Sequence, residues 1–275
     1  MHKRLYRKGA VRLTDREVRD LQIKLLDSID EFCRKNDIQY SLSGGTMIGA
    51  VRHKGFIPWD DDIDLFMRRS DYDRFLSTFN GNYPHYETVD YLSEPDYALP
   101  FAKVMDMSTQ LIEGGNSLFC YGIYVDIFPV DGKPDTEQFA EFVEHYTELR
   151  RRLHKTARLY RYTCNPLKFL KLYLRSLFNR GHSGAVKEID ECLRSYKLED
   201  CRFGGEAGIN PGLNSHLPSD LYFDFSTAEF EGRRYSCITR THDYLSAIYG
   251  DYMTPPPLKQ QKPKHHMRAW KLYNS

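Results

Sequence analysis

Asp60-Asp61-Asp62-Ile63-Asp64-Leu65-Phe66-Met67 is the stretch on which the reading of this chain turns. Four acids fall within its first five positions, and an apolar run follows at once. On a strand, successive side chains point to opposite faces. Ile63, Leu65 and Met67 then share one face, and Asp62, Asp64 and Phe66 share the other. Two neighbouring carboxylates repel each other and are costly to bury uncompensated. The pattern therefore predicts a bound cation, and hard oxygen ligands favour Mg²⁺, Mn²⁺ or Ca²⁺. An EF-hand loop fits less well. It needs glycine where Leu65 stands and a bidentate glutamate where Asp71 stands.

Upstream, Ser43-Gly44-Gly45-Thr46 ends a short strand over 38–42 and opens a helix over 46–52. Glycines let backbone N–H groups approach an anion, and a helix N-terminus favours negative charge. One element would hold phosphate and the other the metal that neutralises it. A third carboxylate is expected from a neighbouring strand. Asp126 is the candidate, an acid inside the otherwise apolar Ile123-Tyr124-Val125-Asp126-Ile127-Phe128. Asp131 is the rival, although Val130-Asp131-Gly132-Lys133 has the character of a turn.

Outward from this centre, Thr14-Asp15-Arg16-Glu17 has the form of a capping box. Val18, Leu21, Leu25, Ile29 and Phe32 continue it as an amphipathic helix ending near Lys35-Asn36. Ser70 is placed to cap a second helix through Leu76. Strands are expected over 86–91, 101–105, 109–113 and 122–128. The expected class is α+β, a mixed sheet flanked by helices with an added helical region. Residues 1–134 form the expected catalytic core. Residues 135–275 form a helical region for acceptor or donor binding, whose basic C-terminal tail, with His265 and His266, packs back on the core.

The chain has 275 residues, enough for a sizeable core, and a net charge of +1, which excludes a strongly polycationic or polyanionic protein. Six scattered cysteines without a C-x-x-C pair point to reduced thiols and a cytoplasmic setting. No apolar run is long enough to span a membrane, and the basic N-terminus lacks the apolar core of a secretory signal. Between Arg150 and Arg180 no acid interrupts the Lys and Arg residues. That stretch is a surface helix, or a basic amphipathic one resting on an anionic membrane at its inner face. It carries no known nucleic-acid fold, so no nucleic-acid partner is expected.

The glycine turn, the Asp-x-Asp strand and the third acid resemble the nucleotidyltransferase superfamily. The run from Gly45 through Arg52, His53, Gly55, Pro58 and Trp59 to Asp64 is similar to the signature of the LicD family. Fukutin-related ribitol-phosphate transferases carry a related core. Phe101-Ala102-Lys103-Val104, the Asp126 strand and Tyr249-Gly250-Asp251-Tyr252-Met253-Thr254-Pro255 extend the likeness. The resemblance implies a phosphotransferase. It would move phosphocholine, or another phospho-alcohol, from a CDP-linked donor to an oligosaccharide or lipid-linked glycan of the cell surface.

It further implies that Asp62, Asp64 and Asp126 bind Mg²⁺ or Mn²⁺, with Asp60 joining them or holding the loop. The backbone at Ser43, Gly44, Gly45 and Thr46 would cradle phosphate. Arg52 and Lys103 would offset its charge, and Asp126 is the candidate general base. If choline is moved, an aromatic box is expected among Phe56, Trp59, Tyr121 and Tyr124. Two alternatives stand beside this reading: a nucleotidyltransferase releasing pyrophosphate, and a non-catalytic nucleotide- or glycan-binding module.

Overall fold

The structure, a computed structural model, describes residues 10–94, 97–112, 121–161, 181–207, 216–263 and 267–272. In chain order its elements are β1 (Val11–Arg12), α1 (Asp15–Lys35), β2 (Ser41–Leu42), α2 (Gly44–His53), β3 (Asp64–Arg68), α3 (Arg69–Thr78) and β4 (Tyr86–Val89). Then come β5 (Ala102–Ile112), β6 (Tyr121–Lys133), α4 (Thr136–Arg161), α5 (Gly181–Arg194), β7 (Phe203–Glu206) and β8 (Leu217–Pro218). The hairpin β9 (Phe225–Phe230) and β10 (Arg233–Ile238), α6 (Thr241–Tyr249) and β11 (Arg268–Lys271) complete the chain. The fold is α+β: six helices with a mixed nine-stranded sheet, besides the separate hairpin, among the described residues.

The chain divides into two compact units. One comprises Met1–Thr88, Lys103–Pro129 and Leu221–Ser275, the other Val89–Ala102 and Val130–Asp220. In the first, strand order runs β1-β11-β5-β6-β3-β2, with β4 beside β5. The C-terminal strand β11 is held between β5 and β1, antiparallel to both. His265 and His266 lie outside the described residues.

Helix α1 begins where its capping box predicts. The Thr14 N–H donates to Glu17 Oε2 at 2.7 Å, and the Glu17 N–H donates to Thr14 Oγ1 at 3.3 Å. Leu25, Leu26 and Ile29 are fully buried along one stripe of the helix, each worth about 1.5–3 kcal/mol of transfer free energy. Phe32 meets Phe75 of α3 edge-on, with centroids 5.8 Å apart. Ser70 does not cap α3: the helix starts a residue earlier, and Arg68 pairs with Asp71 across its first turn at 2.8 Å.

In the second unit, α4 and α5 pack through Phe142, Tyr146, Leu149, Val186 and Ile189. The end of β6 pairs with β7, Asp131 opposite Gly205. The expected turn at 130–133 is therefore strand. Hydrogen bonding to β7 explains it, a partner too distant in sequence to leave a local signal. Asp131, Lys133 and Glu206 are all buried there. Burial pushes the Lys133 ammonium down to about 8, against the opposing pull of Glu206 and Asp131. Arg151 pairs with Glu148, and Arg152 with Glu188 at 2.8 Å. Acids outside the basic run thus neutralise part of it, and 162–180 lie outside the described residues. No helix among the described residues is long and apolar enough to cross a membrane.

Candidate active site

The acidic run is strand only from Asp64 onward, which corrects the expectation of an extended strand through all of it. The cause is α1. Arg19 Nη2 donates to the carbonyls of Pro58 at 3.0 Å and Asp60 at 2.9 Å, and Gln22 Nε2 donates to that of Asp61 at 3.0 Å. These carbonyls are taken up by a helix rather than by a neighbouring strand. Past Asp61 the alternation holds. Ile63, Leu65 and Met67 are buried, and Phe66 on the other face meets Tyr222 edge-on at 5.4 Å.

The Asp126 N–H donates to Ile63 O at 2.9 Å, which sets β6 against this segment. As a result, carboxylate oxygens of Asp62, Asp64 and Asp126 all lie within 4.8 Å of one another. Asp60, Asp61 and Asp62 form a second group of the same tightness. Lys103 on β5 answers part of the charge: its ammonium pairs with Asp126 Oδ1 at 2.5 Å in a buried setting. The same ammonium sits 3.3 Å from the centroid of the Tyr124 ring. Asp64 takes the consequence of this crowding. Desolvation pushes its carboxyl well above the usual range, the charges of Asp62, Asp126 and Asp60 push it further, and Lys103 opposes them.

The glycine turn lies directly on the acids. Gly44 has φ +48°, and a side chain there would start 3.1 Å from Asp64 Oδ2. At Gly45 a Cβ would fall 2.4 Å from Asp60 Oδ2, too close for any other residue unless Asp60 moves. The glycines thus make room for carboxylates as well as exposing backbone. Ser43 and Thr46 lock the turn to β3. The Ser43 N–H donates to Asp64 O and the Asp64 N–H to Thr46 Oγ1, both at 2.9 Å. In the first turn of α2 the N–H groups of Gly44, Gly45 and Thr46 precede the first intrahelical bond, Met47 N–H to Ser43 O.

Arg52 stands elsewhere. It lies eight residues along α2 from Gly44, about 12 Å of helix axis. Its Nη1 donates to Tyr252 O at 2.5 Å and its Nε to His53 Nε2 at 2.9 Å. Burial lowers its pKa, and burial with the Arg52 charge lowers that of His53. The structure therefore gathers Asp60, Asp62, Asp64, Asp126, Lys103 and the Gly44–Gly45 turn, and leaves Arg52 at the far end of α2.

Arg19, Gln22 and Tyr244 escaped the sequence reading. Gln22 did leave a signal, a polar residue on the buried face of α1 between Val18 and Leu25. Of the aromatic candidates, Tyr124 already carries Lys103, and Phe56 carries Arg19 at 5.0 Å.

Oxygen ligands that repel one another, beside a helix start, fit a hard divalent cation. A family model described as LicD/FKTN/FKRP, nucleotidyltransferase domain, matches residues 37–169. The chain is also similar to the lipopolysaccharide cholinephosphotransferase LicD of Haemophilus influenzae. The two are 32% identical over 279 residues, covering 95% of this chain and 99% of that protein. An uncharacterized protein of Rickettsia prowazekii is 28% identical over 134 residues, 46% of this chain and 48% of its own length.

Proposed function

The chain belongs to the LicD family, and on that premise we propose that it moves phosphocholine from CDP-choline to a hydroxyl of a cell-surface glycan or its lipid-linked precursor. The observation that carries this reading is the convergence of Asp62, Asp64 and Asp126 within 4.8 Å of one another. The likeness to a lipopolysaccharide cholinephosphotransferase supplies the substrate class.

Phosphoryl transfer is mainly positioning and charge neutralisation. Asp62, Asp64 and Asp126 would hold Mg²⁺ or Mn²⁺, with Asp60 supporting them from the loop before β3, its carboxylate against Gly45. The ion, when bound, offsets the charge of the donor diphosphate and of the departing CMP. First-turn N–H groups of α2 take a phosphate oxygen. The glycan hydroxyl oxygen forms a bond to the phosphorus bearing choline. The bond from that phosphorus to the bridging oxygen breaks, and CMP leaves with the electron pair. Asp126 is placed in this reading to accept the hydroxyl proton, its orientation fixed by Lys103. The setting is the cytoplasmic side of the membrane, where nucleotide donors are made.

The test supplies purified protein with Mg²⁺, CDP-choline and a lipopolysaccharide or teichoic acid acceptor, and measures CMP and pyrophosphate. CMP release with labelled choline on the glycan is the expected result. Pyrophosphate release from CTP would move the protein to nucleotidyl transfer. Tight nucleotide binding without turnover would make it a binding module. CDP-glycerol and CDP-ribitol, run in parallel, rank the alcohol.

A further inference from the structure

Seven large hydrophobic side chains stand exposed among the described residues, and three of them, Tyr249, Met253 and Leu258, fall within one stretch of ten residues. Leu258 is 82% exposed, more than any other of the seven, and Met253 is 49% exposed. Pro255 and Pro257 between them are exposed as well. Hydrogen bonds frame this loop. Before it, Arg52 Nη1 holds the Tyr252 carbonyl at 2.5 Å, and the buried Tyr252 has its hydroxyl on His242 Nδ1 at 3.1 Å. The Thr254 N–H donates to Asp251 Oδ1 at 3.2 Å. Past the prolines, a single 3-10 turn carries Leu258, and Gln261 Nε2 donates to Pro256 O at 2.8 Å. Proline fixes φ, and Pro257, at φ −52° and ψ 145°, is close to polyproline II. A framed loop therefore holds two apolar side chains out in water, where they are least favourable.

Charge says what covers them. From Tyr244 to Ser275 the one acid is Asp251, against Lys259, Lys262, Lys264, Arg268 and Lys271. Lys259 and Lys262 follow Leu258 closely and are exposed. We propose that the loop over 253–262 is a membrane-contact tip, in which Met253, Leu258 and the prolines enter the interface of a bilayer while Lys259 and Lys262 meet anionic headgroups. Either signal alone gives marginal binding, and an apolar tip combined with basic side chains gives more than either. The contact differs from the basic run after Arg150, where Glu148 and Glu188 offset Arg151 and Arg152. The inference stands apart from the transfer reading, since it needs neither donor nor acceptor. Where both hold, the loop is tied through Arg52 to the far end of α2, about 12 Å along the helix from Gly44. A membrane-held loop then brings the Gly44 turn toward the surface in which a lipid-linked acceptor is anchored.

Vesicle co-sedimentation of the full chain, without nucleotide, tests this. The vesicles are phosphatidylcholine alone, or equal parts phosphatidylcholine and phosphatidylglycerol. Wild type should partition more strongly onto the mixed vesicles, and added salt should weaken it. The double variant Met253→Ser, Leu258→Ser should lose about tenfold or more in partition. The double variant Lys259→Gln, Lys262→Gln should lose about fivefold for each lysine on the mixed vesicles. All four side chains are exposed, so the melting temperatures should match wild type. Wild type left in the supernatant with mixed vesicles overturns the inference. So does wild-type-like binding by both double variants, which moves the contact to another surface such as 150–180. Equal partition of wild type onto the two kinds of vesicle overturns the role of the lysines. None of these failures touches the transfer reading, which is measured by CMP release.

Discussion

Asp64→Asn should stabilise the metal-free protein. Carboxylate oxygens of Asp62, Asp64 and Asp126 lie within 4.8 Å of one another. At an effective dielectric constant of about 20, two full charges at that distance repel by about 3.5 kcal/mol. Asp64 faces more than one such neighbour, while Lys103 opposes them. Partial exposure of Asp64 and its partial protonation trim the relief, leaving a gain of about 1–3 kcal/mol. The sign follows from the raised carboxyl. Folded protein binds more protons than unfolded once pH passes the unfolded value near 4, so wild-type stability falls as pH rises from there. Asparagine removes that slope. By fluorimetric melting in EDTA, the variant should melt about 2–5 °C above wild type at pH 8, with the gap closing toward pH 4. Mg²⁺ at about a hundred times its Kd adds about 2.7 kcal/mol to wild type and little to the variant, which closes or reverses the gap. A variant less stable than wild type in EDTA at pH 8 would refute the reasoning, because the acids would then already be compensated within the protein.

Asp126→Asn strands the buried Lys103 ammonium. Melting should register a loss of about 3–5 kcal/mol, and a CMP-release assay a fall of about 10²–10⁴-fold; near-normal turnover would take the proton-accepting role from Asp126. Gly45→Ala places a Cβ 2.4 Å from Asp60 Oδ2. Alanine favours the helix by about 1 kcal/mol, so stability should hold while Mg²⁺ affinity in calorimetry drops about tenfold or more. Unchanged affinity would remove Asp60 from any support of the metal group. Because the Tyr124 ring already faces Lys103, Tyr124→Leu should lower turnover of CDP-choline and CDP-glycerol alike. Trp59→Leu, next to Asp60, should lower CDP-choline turnover several-fold more than CDP-glycerol. A choline-specific loss at Tyr124 would contradict the first expectation, and equal losses at Trp59 the second.

Local chemistry made some of this legible in advance. Thr14 and Glu17 satisfy each other within one helical turn, so the start of α1 could be placed to the residue. The Asp-x-Asp alternation and the lone acid at Asp126 were visible because an acid among apolar neighbours has few explanations. What failed depended on partners far along the chain. The expected strands over 101–105 and 109–113 are one continuous strand, β5, stabilised by pairing with β11. Asp131 sits in strand because β7 supplies its hydrogen bonds. Likewise, nothing near Arg52 in sequence tells that its Nη1 meets the Tyr252 carbonyl, 200 residues downstream. The stretch from Tyr249 was marked by the resemblance alone, since nothing local tells that the Tyr249 hydroxyl ends near Gly44.

The position of the acids on α2 bears on the order in which ligands bind. A helix N-terminus ordinarily draws an anion through its unsatisfied N–H groups and its dipole. Here Asp60 and Asp64 already stand at that end, Asp60 closer to Gly45 than a side chain there would permit and Asp64 tight against Gly44. An arriving diphosphate therefore meets fixed negative charge before it reaches the backbone donors. Lys103 relieves this only in part, because one ammonium, paired with Asp126 and facing Tyr124, stands against several carboxylates. A divalent cation held by Asp62, Asp64 and Asp126, as proposed above, would offset most of that charge at the turn. In this reading the same first-turn N–H groups then become available to phosphate. On the proposed reading, the repulsion that costs the metal-free protein stability would also make donor binding wait for the cation, and both would follow from placing glycine rather than a larger residue at positions 44 and 45.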